Sequence, residues 1–207
     1  MRARMLSLTL LAAVAACSGP DLTAAGGEPG PQRRAAAVPA PACVLFNVPA
    51  LGAVFGAPVG TPPGAVIWVE SAINVSVNPF RTTGGPFIYN WMRIENAPAV
   101  FTLGAGKTGH TNNINAGFDF TGLGFPVKRV EFVWLNLGGY ENLSINGSPH
   151  FVGQLSAPPP AIAGVAVATA WAPVAGGKQG RTTLTGAITK IQVGGQEEWL
   201  DTVCAYP

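Results

Sequence analysis

The chain has 207 residues, 12 of them Lys or Arg and 10 Asp or Glu, giving a formal charge of +2. So even a balance, with only 11 % charged residues, implies no polyanionic partner such as nucleic acid, and 48 % hydrophobic content excludes a wholly disordered chain. The 27 glycines and 19 prolines ask for a fold with many turns.

Arg2 and Arg4 precede an apolar run from Met5 to Ala16, which is followed by Cys17 and Ser18. At about 1.5 Å per residue this run cannot cross a hydrocarbon core about 30 Å thick, so it reads as a signal peptide over residues 1–16 and not as a retained span. Val14-Ala15-Ala16-Cys17 resembles the bacterial lipobox. That resemblance implies cleavage before Cys17, a diacylglyceryl thioether on its sulfur, and acylation of the new amino terminus. The partner implied is membrane lipid. The implied address is the cell envelope, with Ser18 in place of an inner-membrane Asp favouring the outer membrane. Loss of Arg2 and Arg4 with the leader leaves a formal charge of zero.

Residues 17–42 carry GGEPGPQRRAAAVPAPA and almost no large apolar side chain, so beyond the lipidated Cys17 they read as a flexible tether. From 43 to 207 the composition suits one all-β domain. Val44–Val48 and Ala65–Glu70 are strand-like. Ile73, Val75 and Val77 alternate with Asn74, Ser76 and Asn78, and Ile114 to Phe120 alternate likewise. Further strands are expected at Phe87–Glu95, Val127–Leu137, Asn142–Ile145, Gly164–Ala170, Arg181–Thr185, Ile188–Val193 and Glu197–Ala205. Turns are expected at Gly84-Gly85, Gly138-Gly139, Asn146-Gly147, Gly176-Gly177 and Gly194-Gly195. So many short strands need two antiparallel sheets packed face to face, a jelly-roll-like β-sandwich.

With Cys17 committed to lipid, Cys43 and Cys204 remain at the two ends of the domain. An oxidising compartment permits a Cys43–Cys204 bridge, worth roughly 5 kcal/mol in the chain-entropy account; two unpaired buried thiols are the other reading. The stretches NLSING at 142–147 and GQEEWLDTVCA at 195–205 resemble the final third of galactose-binding-like jelly-roll domains of bacterial surface proteins. In that group an Asp often follows an apolar residue in the last strand, as Asp201 follows Leu200, and calcium is often held between first and last strands. The resemblance therefore implies a structural calcium on Asp201, aided by carbonyls near Asn47. A solvated Asp201 at the sheet edge is the plainer alternative. No cofactor is otherwise indicated.

Catalytic patterns are missing. His110 and His150 lack zinc spacing, no G-x-S-x-G elbow occurs, and nothing requires the acids Glu95 and Glu131 to meet as a glycosidase pair. N-x-S triplets at Asn74, Asn142 and Asn146 read as strand and turn residues. The stretch from Phe87 to Glu95 puts Phe87, Tyr89, Trp91, Arg93 and Glu95 on one face and Ile88, Asn90, Met92 and Ile94 on the other. If the aliphatic face is core, the first five form an aromatic and charged platform for a glycan; if the aromatics are core, there is no platform. Trp134 is in phase with core residues, while Trp199 is ambiguous. The functional expectation is a non-catalytic binding module for a carbohydrate or another envelope ligand, with a structural or adhesive lipoprotein as alternative.

Overall fold

The computed structural model describes residues 38–207. The signal peptide, Cys17 and residues 18–37 of the tether lie outside the described residues. The alternation of apolar and polar residues does build strands: β1 (Ala42–Val44), β2 (Val54–Gly56), β3 (Val66–Glu70), β4 (Ile73–Arg81), β5 (Phe87–Ile88), β6 (Trp91–Asn96), β7 (Lys107–Asn112), β8 (Ile114–Asp119), β9 (Val127–Ile145), β10 (Phe151–Gly153), β11 (Ala161–Ile162), β12 (Val165–Val174), β13 (Gly177–Ile188) and β14 (Lys190–Tyr206). All pairings are antiparallel, and the fold is all-β, with one 3-10 turn at Ala57–Val59 among the described residues.

The fourteen strands belong to one continuous sheet that is not closed. Two layers arise because adjacent strands bend at the same place. β14 pairs with β9 along nearly its whole length. Its other edge meets β8 through Lys190–Val193 and β7 through Glu198–Leu200. β7 and β8 are separated only by Asn113, whose φ is +49°, so they run along β14 as a single kinked strand. Opposite that kink lie Gly194-Gly195 of β14 and Gly138-Gly139 of β9, where the register of the β9–β14 ladder shifts.

The sequence reading placed turns at these two glycine pairs. They are instead bends inside long strands. A Cβ on Gly194 would fall 2.1 Å from the Ile114 carbonyl oxygen, and Gly139 has φ +77°, so both positions need the missing side chain. Gly84-Gly85, Asn146-Gly147 and Gly176 are turns as expected, Asn146 and Gly147 both with positive φ.

The first layer contains β3, β4, β8 and the adjoining halves of β14 and β9. The second contains β2, β6, β7, the other halves of β14 and β9, and then β13 and β12. Rings close the space between them. Phe55 of β2 reaches Trp68 of β3 at 5.5 Å between centroids, and Phe46 packs edge-on against Trp68 and Phe118 at 6.0 and 6.4 Å. Trp134, Phe132, Leu143, Val193 and Leu200 complete this core, each fully buried. Such side chains stabilise by about 1.5–3 kcal/mol apiece. Trp134 is core as expected, and its Nε1 donates to Thr182 Oγ1 at 3.0 Å.

A second, smaller cluster lies on the opposite face of the second layer, where residues 97–106 fold over Val133, Leu135 and Trp199 through Phe101. Cys43 and Cys204 stand opposite each other in the β1–β14 ladder and form the disulfide, so the two free thiols of the alternative reading do not occur.

Candidate binding surface

β6 settles which of its faces is core. Met92 and Ile94 are fully buried, and Trp91, Arg93 and Glu95 alternate with them on the outer face of the second layer. Arg93 stands in register with His110 of β7, and His110 with Trp199 of β14. These neighbours build a ladder of flat groups. Trp91 and His110 meet edge to face at 5.0 Å and 82°, and His110 stacks on Trp199 at 3.8 Å and 17°.

Charge frames the ladder. The Arg93 guanidinium lies 5.0 Å from the Trp91 centroid and 3.4 Å from Glu95 Oε1, and Glu95 Oε2 is 3.1 Å from His110 Nδ1. Burial pushes the His110 pKa down, against the pull of Glu95, so a neutral ring whose Nδ1–H donates to Glu95 fits the geometry. Trp199 is covered; Trp91 is half-buried and Arg93 exposed. Trp91 is thus a partly open ring already held by two neighbours, and fixing it on a ligand would cost little further rotamer entropy.

The other two aromatics of the stretch go elsewhere. Phe87 and Ile88 pair with Arg81 and Phe80 in the first layer, whereas Trp91 pairs with Asn112 in the second. Between them the Asn90 N–H donates to the Asn113 carbonyl, where the chain crosses from one layer to the other. Phe87 therefore does not share a face with Trp91. It is 58 % exposed, lies edge-on to His150 at 6.1 Å, and has the Arg81 guanidinium 5.8 Å away. The Tyr89 hydroxyl donates to the Thr61 carbonyl at 2.7 Å, and burial raises its pKa.

Asp201 is almost fully buried and acts as a clasp. Its Oδ2 accepts the Ala105 N–H at 2.9 Å and its Oδ1 the Thr202 N–H at 2.6 Å, while burial raises its pKa. The Asn47 carbonyl invoked for calcium accepts Lys107 Nζ at 2.6 Å, and the Pro49 carbonyl accepts the same ammonium at 2.7 Å. Oxygens expected to share a cation serve a loop and a lysine. Among the described residues no group of three or more His, Cys, Asp or Glu is arranged to hold a metal.

Glu95 and Glu131 have different partners: His110 and Arg93 for the first, Arg129 and Arg181 for the second. The carboxylates that do come together are Glu141 and Glu198, on the core side at the bend. Glu141 accepts hydrogen bonds from Asn136 Nδ2 and from the Leu155 N–H, the latter at 3.2 Å. Neither oxygen of Glu198 has a partner among the described residues. Burial raises both, Glu141 to about 7 and Glu198 well above the usual range, the latter further raised by Glu141. Both side chains are almost completely buried.

Trp171 and a buried acid pair are among the features the sequence does not reveal. Trp171, 47 % exposed with Lys178 Nζ 5.2 Å from its ring, lies just beyond the point where the sequence reading ended its strand. Burial of the Glu141–Glu198 pair is not visible in the sequence because Glu141 lies between Tyr140 and Asn142 and Glu198 follows Gln196 and Glu197, so neither stands in an apolar run. No protein-family model matches this chain, and no curated protein and no solved structure proved significantly similar to it.

Proposed function

We propose that this protein is an extracytoplasmic lipoprotein, held in the cell envelope through lipid on Cys17, whose β domain binds a carbohydrate without catalysing a reaction on it. One observation carries the binding half: Trp91 is partly open, packed against His110, which itself stacks on Trp199, and flanked by Arg93 and Glu95. A flat apolar ring receives the C–H face of a pyranose, and the adjoining guanidinium and carboxylate offer donors and acceptors to its hydroxyls. The lipobox-like leader supports the anchor, Ser18 supports an outer-membrane address, and the resemblance of the last strands to galactose-binding-like domains supports a glycan ligand.

The test is a glycan array probed with the full-length chain and with Trp91→Ala. Retention on one glycan class by the parent chain, lost in a Trp91→Ala chain of unchanged circular dichroism, is expected. Absence of retention on every glycan would leave a structural or adhesive envelope lipoprotein as the better reading.

A further inference from the structure

The opposite layer holds a second depression, built from different chemistry. It is a groove of about 170 Å³ on the outer face of the first layer. Its floor is Gly117. In register across it, Ser76 of β4 and Gln192 of β14 flank Gly117 on either side, and Asn74, Asp119 and Lys190 form the next row. Asn78 closes one wall, its Nδ2 donating to Ser76 Oγ at 3.0 Å.

The floor exists because position 117 lacks a side chain. A Cβ there would lie 2.5 Å from both Asn78 Nδ2 and Ser76 Oγ. The side chains reaching the space from the outer face are polar, namely two carboxamides, a hydroxyl, a carboxylate and an ammonium, while Gly64, Phe118 and Ile191 complete the lining. Lys190 takes part in none of the ion pairs among the described residues, and neither does Asp119, whose Oδ1 accepts the Thr121 N–H and hydroxyl. A planar carboxamide can donate to one hydroxyl and accept from its neighbour, and a carboxylate can accept from two adjacent hydroxyls at once, whereas a phosphate would need clustered cations and a nucleobase would need apolar walls. The opposite charges of Lys190 and Asp119 lie side by side and give no net preference for a charged ligand.

We propose that the groove over Gly117 is a second carbohydrate subsite, taking one uncharged hexopyranose ring. The domain is then bivalent, with one site on each layer, and can engage two glycan segments with a gain in avidity. This subsite stands on its own residues and does not depend on Trp91, although it extends the glycan reading above.

The experiment is a ¹⁵N NMR titration of the full-length chain in detergent micelles with D-glucose, D-galactose, D-mannose and D-glucuronate, repeated on Trp91→Ala, Gln192→Ala and Gly117→Ala. The expected result is saturable shifts of the Ser76–Asn78, Gly117–Asp119 and Lys190–Gln192 amides with at least one neutral hexose. They should be unchanged in Trp91→Ala and weakened at least tenfold in Gln192→Ala, whose half-buried side chain lies outside the apolar core and has its Oε1 3.0 Å from His150 Nε2. Gly117→Ala should weaken them likewise by filling the floor. Shifts confined to Trp91 and His110 overturn the second subsite and leave the first reading standing. Shifts in the groove with glucuronate alone overturn the preference for an uncharged ring.

Discussion

Glu198→Gln should make the domain more stable above neutral pH and flatten its pH dependence. In the folded chain Glu198 is buried with no hydrogen-bond donor among the described residues and Glu141 beside it, so it keeps a proton that the unfolded chain, with an ordinary carboxyl, releases near pH 4.5. A folded pKa raised above the unfolded one contributes stability present at low pH and lost as pH rises. While that proton is retained, linkage sets the loss at about 1.4 kcal/mol per pH unit. Glu141, raised to about 7, contributes the same sign from pH 4.5 up to about 7, with Lys178 as the cation that opposes it. The histidines act oppositely but only below their ordinary range, since burial lowers both His110 and His150. Asp201 is raised from a lower starting value and adds its effect at acid pH. Above about pH 7 Glu141 no longer contributes, and the proton held by Glu198 governs the slope. For a domain of this size the expected fall in Tm is about 3–6 °C per pH unit. The assay is thermal unfolding by circular dichroism at pH 7, 8 and 9. A falling Tm in the parent chain and a nearly level one in Glu198→Gln are expected. A level parent curve, or equal slopes in the two proteins, would refute the reasoning.

Asp201→Asn replaces an acceptor of two backbone N–H groups by an amide that can present only one oxygen, and should lower stability by about 1–3 kcal/mol. Limited proteolysis should then cut within residues 97–106, and added calcium should not protect them. Replacing Cys43 and Cys204 together by Ser should cost about 2–5 kcal/mol, read as a lower denaturation midpoint that reductant no longer changes. Metabolic labelling with an alkynyl fatty acid should tag the parent chain and leave Cys17→Ser unlabelled, with the protein lost from the membrane fraction.

The fold class was legible wherever period two survived, as at Ile73–Val77 and Ile114–Phe120, since each alternate residue there enters the core. β7 was missed because Lys107–Asn112 is polar on both faces; its Thr108, His110 and Thr111 are buried by neighbouring strands, not by their own hydrophobicity. The long strands β9 and β14 were divided at their glycine pairs because glycine in a turn and glycine in a bend look alike in sequence, and only the partner strand distinguishes them. The same limit applied to the platform. Parity along Phe87–Glu95 correctly aligned Trp91, Arg93 and Glu95, but the crossing at Asn90, imposed by a bond to Asn113, removed Phe87 to the other layer. His110 and Trp199 reached Trp91 through the pairing order of β6, β7 and β14, which no local pattern encodes.

If Trp91 is the ring that meets a sugar, its own emission reports the contact. Trp68, Trp134 and Trp199 are buried, so of the five tryptophans only Trp91 and Trp171 are open to solvent to a substantial degree. Fluorescence titration of a Trp171→Phe chain with neutral hexose oligosaccharides should therefore give a saturable change for the glycan class retained on the array, absent when Trp91→Ala is added. A saturable change that persists without Trp91, or no change with any oligosaccharide, would contradict the account.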